Sequence, residues 1–144
     1  MNKIAKWVFL GLAGLLVIAV IYVTSTRDTT NARVAREIHE NPQGERAHKT
    51  LLLTLADERM YPVNFLHEGR YVYLGIDGLW WRDFVDAPQP VGMFIRGRHY
   101  RGSARTILDD PELKAEVFSR LRPTVPAWLP DALNGKLVVV TLEE

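Results

Sequence analysis

The sequence predicts a mainly β fold with accessory helices: a small, closed or partly open six-stranded barrel behind one N-terminal transmembrane helix. Three observations carry this. Between Arg59 and Ile107, short runs rich in Val, Ile, Tyr and Phe alternate with tight turn signals. A helix and a returning apolar strand follow, which can cover and close a sheet. Ahead of both, Trp7 to Val23 reads WVFLGLAGLLVIAVIYV, without a charge.

That apolar run, extended past Lys6 by Ile4 and Ala5, is just long enough to span a bilayer core, which takes about 20 helical residues. Lys6 can snorkel, and Trp7 and Tyr22 sit where interfacial aromatics sit. A cleaved signal peptide is the competing reading, with Val23-Thr24-Ser25 as a poor cleavage site. Lys3 and Lys6 precede the run, whereas Arg27, Arg33 and Arg36 follow it. The two lysines lie closest, so the expected orientation is N-terminus inside. That makes a single-pass protein of the cytoplasmic (inner) membrane with its domain on the outer, periplasmic side. The expected domains are residues 1–26 as anchor, 27–48 as polar connector and 49–144 as barrel.

Within the connector, Asn31 to Glu40 can form a short helix, broken by Asn41-Pro42-Gln43-Gly44. Lys49 to Ala56 reads as the first strand, with Leu51, Leu53 and Leu55 on one face. Arg59 to Leu66 is the second, where Pro62 implies an edge or a bulge. His67 to Arg70 turns tightly into a third strand, Arg70 to Ile76. Asp77-Gly78 leads into Leu79-Trp80-Trp81-Arg82; if extended, the two tryptophans face opposite ways. Asp83 to Pro90 is a loop or a short helical turn, closed by Pro88 and Pro90. Val91 to Arg96 and Arg98 to Leu108 form a long hairpin, for which Gly97 fits the first position of a type II′ turn. Asp110-Pro111 is a strong helix start, and the helix runs to about Arg122 with Leu113, Val117 and Leu121 on one stripe. Pro126 to Leu133 reads as a second short helix, closed by Asn134-Gly135. Lys136 to Leu142 is the last strand, apolar on both faces. The first and last strands are expected to pair and remove an edge.

The chain has 144 residues, no cysteine and a net charge of +1. Disulfides, thiolate nucleophiles and cysteine metal sites are excluded, and no strong field argues for nucleic acid. No Ser/His/Asp set, phosphate-binding glycine loop or metal-ligand cluster is visible. His39 and His48 lie in the polar connector and His67 and His99 in turns, where solvation is the default.

Several weak motifs, in order, resemble a known group. Arg59-Met60-Tyr61-Pro62-Val63, the hairpin to Tyr71-Val72-Tyr73-Leu74-Gly75, Trp81-Arg82-Asp83-Phe84, Pro90-Val91 and Arg98 to Arg105 resemble the split β-barrel, FMN-binding-like fold. The branch they resemble most is the deazaflavin-dependent nitroreductase and quinone reductase family. The likeness covers about residues 49–122. It implies a homodimer and an FMN or deazaflavin F420 cofactor lying in a groove, its phosphate held by basic side chains. It also implies an oxidoreductase acting on a quinone or nitroaromatic, with the hydride chemistry supplied by the cofactor.

The resemblance assigns Arg59 and Trp81 to the cofactor site, and Arg82 and Arg105 are the further cations expected to line it for phosphate; no catalytic residue is assigned. Arg101 is a further cation on the same strand as Arg105. Arginine suits phosphate through its planar fork of donors. The same arginines can instead pair with Asp83, Asp86 or Glu68 across strands. Two segments, Ala56-Asp57-Glu58 and Ile76 to Leu79, are shorter than the family's cofactor loops. They motivate an alternative from another class: a non-catalytic binding or assembly module at the membrane that has lost its cofactor.

Overall fold

A computed structural model describes residues 2–144. The chain falls into two compact units, one reaching Val34 and the other covering Ala35–Glu144. The first unit is helical, within α1 (Lys3–Glu40). Its apolar stretch is exposed on every side, and the helix is long and apolar enough to cross a membrane. Thr24, Thr26 and Thr29 turn their hydroxyls back onto the helix. Thr26 Oγ1 donates to the Tyr22 carbonyl at 2.8 Å and Thr29 Oγ1 to Ser25 at 2.9 Å. These two hydroxyls are thereby satisfied within the helix itself.

Residues 31–40 belong to α1 rather than to a helix of their own, because no glycine or proline interrupts the chain between Gly14 and Pro42. A one-turn helix, α2 (Glu45–Lys49), then delivers the chain to β1 (Thr50–Thr54). β2 (Met60–Glu68), β3 (Tyr71–Ile76), β4 (Gln89–Ile95), β5 (Arg98–Ile107), α3 (Pro111–Leu121) and β6 (Lys136–Leu142) follow. The segment expected to hold a second late helix contains only a single 3-10 turn at Asp131–Leu133. Pro130 stands inside that segment, where it removes a helical N–H and clashes with the preceding turn.

The six strands form a closed barrel in the order β1-β2-β3-β6-β5-β4, all pairs antiparallel. The first and last strands do not pair, contrary to expectation. β1 closes the barrel on β4, and β6 inserts between β3 and β5. β6 therefore has a partner on each edge, which suits a run that is apolar on both faces. Its inward Val138 and Val140 join Leu51, Leu53, Val72, Leu74 and Val91 in the barrel core. Its outward Leu137 joins Val117 and Phe118 of α3 in a second, smaller core.

Asp110 caps α3 as the sequence predicts, accepting the Leu113 N–H at 3.0 Å. Lys114 of α3 is buried and reaches the 123–135 segment. Its Nζ donates to the Gly135 carbonyl at 2.8 Å and lies 2.8 Å from Asp131 Oδ1.

The hairpin between β4 and β5 differs from the expected II′ turn. Its two loop residues are Arg96 and Gly97, with φ of +48° and +84°. Positive φ at both positions is the type I′ pattern, for which Asn-Gly and Gly-Gly are the common pairs. Arginine in the left-handed region costs about 1–2 kcal/mol.

Candidate functional site

Strand directions place the ends of β1, β3 and β5 and the starts of β2, β4 and β6 at one end of the barrel. We call this end the mouth. Arg59, Trp81 and Arg82 all lie there, and Arg105 stands two residues from the end of β5. The mouth is not open. Residues Leu79–Phe84 form a six-residue 3-10 helix across it, so the two tryptophans are not the extended pair that would face opposite ways. Trp80 and Phe84 are four residues apart, a helical spacing rather than a strand's alternation. Phe84 is buried in the core, and Trp80 and Trp81 pack against it. The Thr106 hydroxyl donates to the Trp81 carbonyl at 2.6 Å and ties this mouth helix to β5.

The barrel has a split beside the mouth. From Met60 to Asn64, β2 pairs only with β1; its pairing with β3 begins at Phe65. Pro62, which has no N–H to donate, lies in this one-sided stretch, as its chemistry requires. Trp80 fills the split. Its indole stacks on the Tyr61 ring with centroids 4.4 Å apart and planes 4° from parallel. It meets Phe84 edge-on at 6.2 Å. Gly78 permits this: a Cβ there would stand 2.6 Å from the Trp80 ring, so only glycine lets the indole fold back.

Arg59 sits at the rim and is held by two carboxylates. Its Nε donates to Asp57 Oδ2 at 2.7 Å and its Nη2 to Asp83 Oδ2 at 2.6 Å. Asp57 also accepts the backbone N–H of Arg59 at 3.2 Å, which fixes the carboxylate in the turn. The pair of acids raises the guanidinium pKa above its ordinary value, Asp83 contributing most. The Asp57 carboxyl is lowered, chiefly by that backbone N–H. Its contribution to stability is thus present above the ordinary carboxyl pKa and is lost as pH falls through the lowered one. A cleft of about 320 Å³ lies here, lined by Leu55, Asp57, Arg59, Asp83, Phe84 and Gln89. That is the low end of the range for small-molecule sites, which runs from about 300 to 1,000 Å³.

The other assigned residues are not gathered at this cleft. Trp81 lies between two cations, with the Arg82 guanidinium 5.5 Å and Lys136 Nζ 5.6 Å from its ring centre. Arg105 is exposed on the outer face of β5, opposite Val139, while its neighbours Ala104 and Thr106 point inward. Among the described residues, Arg82, Arg101 and Arg105 make no ion pair within 4.0 Å. The sequence reading missed Asp57 as a partner of Arg59, and missed Tyr61, Trp80 and Lys136 as parts of the mouth. The i, i+4 spacing of Trp80 and Phe84 was the available signal; the Arg59–Asp83 contact spans 24 residues and needs the topology.

Among the described residues, no group of three or more His, Asp or Glu side chains could hold a metal ion. No family model and no curated protein sequence matches the chain. Solved structures do. The chain is similar to a protein of Listeria innocua that carries the provisional name pyridoxamine 5'-phosphate oxidase. The TM-score is 0.53 at 14% identity, over 76% of this chain and 93% of that one. It is also similar to a protein of Jannaschia sp. CCS1 provisionally named general stress protein 26. There the TM-score is 0.50 at 15% identity, over 77% and 74% of the two chains. At such identities the likeness shows the split-barrel fold and nothing finer.

Proposed function

We propose that this chain is a membrane-tethered split barrel acting as a binding or assembly module, without a phosphate-anchored flavin. One observation carries the reading: Arg59 is already engaged by Asp57 at 2.7 Å and Asp83 at 2.6 Å. Two carboxylates and one guanidinium leave a local excess of negative charge, which repels a cofactor phosphate. The split beside it, wide enough to admit an aromatic ring, holds the chain's own Trp80 on Tyr61. These residues do not fit FMN or F420, and no catalytic step is derived through either. The anchor is the apolar part of α1.

A second reading is a flavin- or deazaflavin-dependent reductase of the nitroreductase or quinone reductase type. The split-barrel fold favours it, although one fold hosts many functions. Arg82 and Arg105, which carry no ion pair, are then the cations left for a phosphate.

Titration separates the two. The full chain, purified in detergent, is titrated with FMN and with F420 while its tryptophan fluorescence and the ligand's own emission are followed. The expected result is no saturable binding of either. Saturation at one ligand per chain, weakened by Arg82→Ala or Arg105→Ala, would establish the reductase reading instead.

A further inference from the structure

A groove larger than the mouth cleft lies elsewhere on the barrel. It runs along the outer wall of β2 beneath the end of α3 and has a volume of about 680 Å³, well within the range of ligand sites. One wall is apolar: Leu66 of β2, Leu121 of α3 and Val125 beyond it. The facing rim carries Lys49, at the end of α2, and Arg96, in the β4–β5 turn. The two acids that face the groove are already engaged. Glu68 pairs with Arg120, and Asp77 takes both Nη groups of Arg122 at 2.8 and 3.0 Å. Lys49 reaches only Glu45, at 3.6 Å between two exposed side chains. Arg96 makes no ion pair among the described residues. It donates to the His48 carbonyl at 3.1 Å and lies 5.5 Å from the centre of the Phe65 ring.

The backbone singles out the same residue. Arg96 stands at φ +48°, the position of a type I′ turn where asparagine or glycine is the ordinary choice. A bulky residue held in that region is strained, and such strain collects at functional sites. The fold thus keeps an uncompensated guanidinium, at a cost in backbone energy, over one side of a half-apolar groove.

We infer that this groove binds an amphiphilic phosphate ester, its phosphate on Arg96 and Lys49 and its apolar chain along Leu66, Leu121 and Val125. The guanidinium fork matches a phosphate, and an apolar wall opposite a cationic rim matches a molecule with one charged and one apolar end. The ester can come from an anionic phospholipid or from a soluble alkyl phosphate. The inference goes beyond the proposed function and concerns a different wall of the barrel. A failed titration here leaves the flavin question untouched, and the reverse holds too.

The test uses the full chain in a non-ionic detergent. Native mass spectrometry follows titrations with phosphatidylglycerol, phosphatidylcholine and octyl phosphate, on wild type, Arg96→Gly and Lys49→Gln. Wild type is expected to retain phosphatidylglycerol over phosphatidylcholine, whose choline cation opposes the rim, and octyl phosphate is expected to compete. Octyl phosphate binding more tightly than phosphatidylglycerol would support the site and assign it a soluble ligand. Arg96→Gly should weaken phosphate binding by about tenfold, as loss of one charged hydrogen bond implies. Its melting temperature should stay level or rise, because glycine suits the turn. Lys49→Gln should lose less, since a point charge is not a fork. Lipid that adheres only to the apolar helix would bind Arg96→Gly as it binds wild type, and that result overturns the proposal. So does failure of both phosphatidylglycerol and octyl phosphate to bind wild type.

Discussion

Replacing Phe84 with Ala is expected to lower the melting temperature of the barrel by roughly 15 °C. Phe84 is 1% exposed and is the one residue of the mouth helix fully sunk in the core. Truncating a buried Phe costs about 3–5 kcal/mol in lost burial and residual cavity. For a unit near 100 residues, each kcal/mol shifts the midpoint by about 4 °C or more. The loss should also reach the split. Trp80 meets Phe84 edge-on at 6.2 Å, and Asp83 precedes it in the chain. A looser helix therefore frees Trp80 from Tyr61 and Asp83 from Arg59. Circular dichroism melts give the stability, and tryptophan emission reports Trp80. An unchanged midpoint would mean that the mouth helix is an ornament rather than part of the core.

Arg122→Ala is expected to cost about 3 kcal/mol, the scale set by charged hydrogen bonds and by breaking a partly buried pair. The Arg122 side chain is only 16% exposed. It grips Asp77 with two Nη groups, donates to the Asn134 carbonyl at 3.1 Å and lies 5.2 Å from the centre of the Phe118 ring. It thereby joins the end of α3, the β3 exit and the 123–135 segment, which Lys114 holds from its other side. Arg122→Lys should restore part of the loss, because a lysine cannot make the paired contact with Asp77. Chemical denaturation measures the loss. Hydrogen exchange should show the 123–135 amides opening before the barrel strands. Equal exchange in both variants and wild type would contradict the clamp.

Much of this fold was legible in the sequence because the signals are local. β6 matches its expected span, Lys136 to Leu142, since a run apolar on both faces has few other places to lie. Asp110 and Pro111 mark the start of α3 by capping chemistry alone. What sequence reading misplaced is set by distant partners. Nothing in the alternation of Leu51, Leu53 and Leu55 says whether β1 closes on β4 or on β6. At Leu79–Phe84 the two adjacent tryptophans would face opposite ways if extended, and nothing in the pair alone decides whether they are. Gly78, the indole it admits and the buried Phe84 make a helical turn instead.

The candidate site divides the same way. Residue types and order pointed to one end of a barrel, and Arg59, Trp81 and Arg82 do lie there. Whether Arg59 is free depended on Asp83, which the sequence supplied as one of several partners and only the fold brings to 2.6 Å. Arg105 differs because strand alternation turns it outward while Thr106 turns in.

The central claim is that the barrel works without a phosphate-bearing flavin. Its most direct test is the cofactor content of the full chain released from its own membranes by mild detergent. Absorbance of the protein, and of the supernatant after heat denaturation, is read against FMN and F420 standards. The account predicts no flavin or deazaflavin band in either. A band corresponding to one equivalent per chain would contradict it.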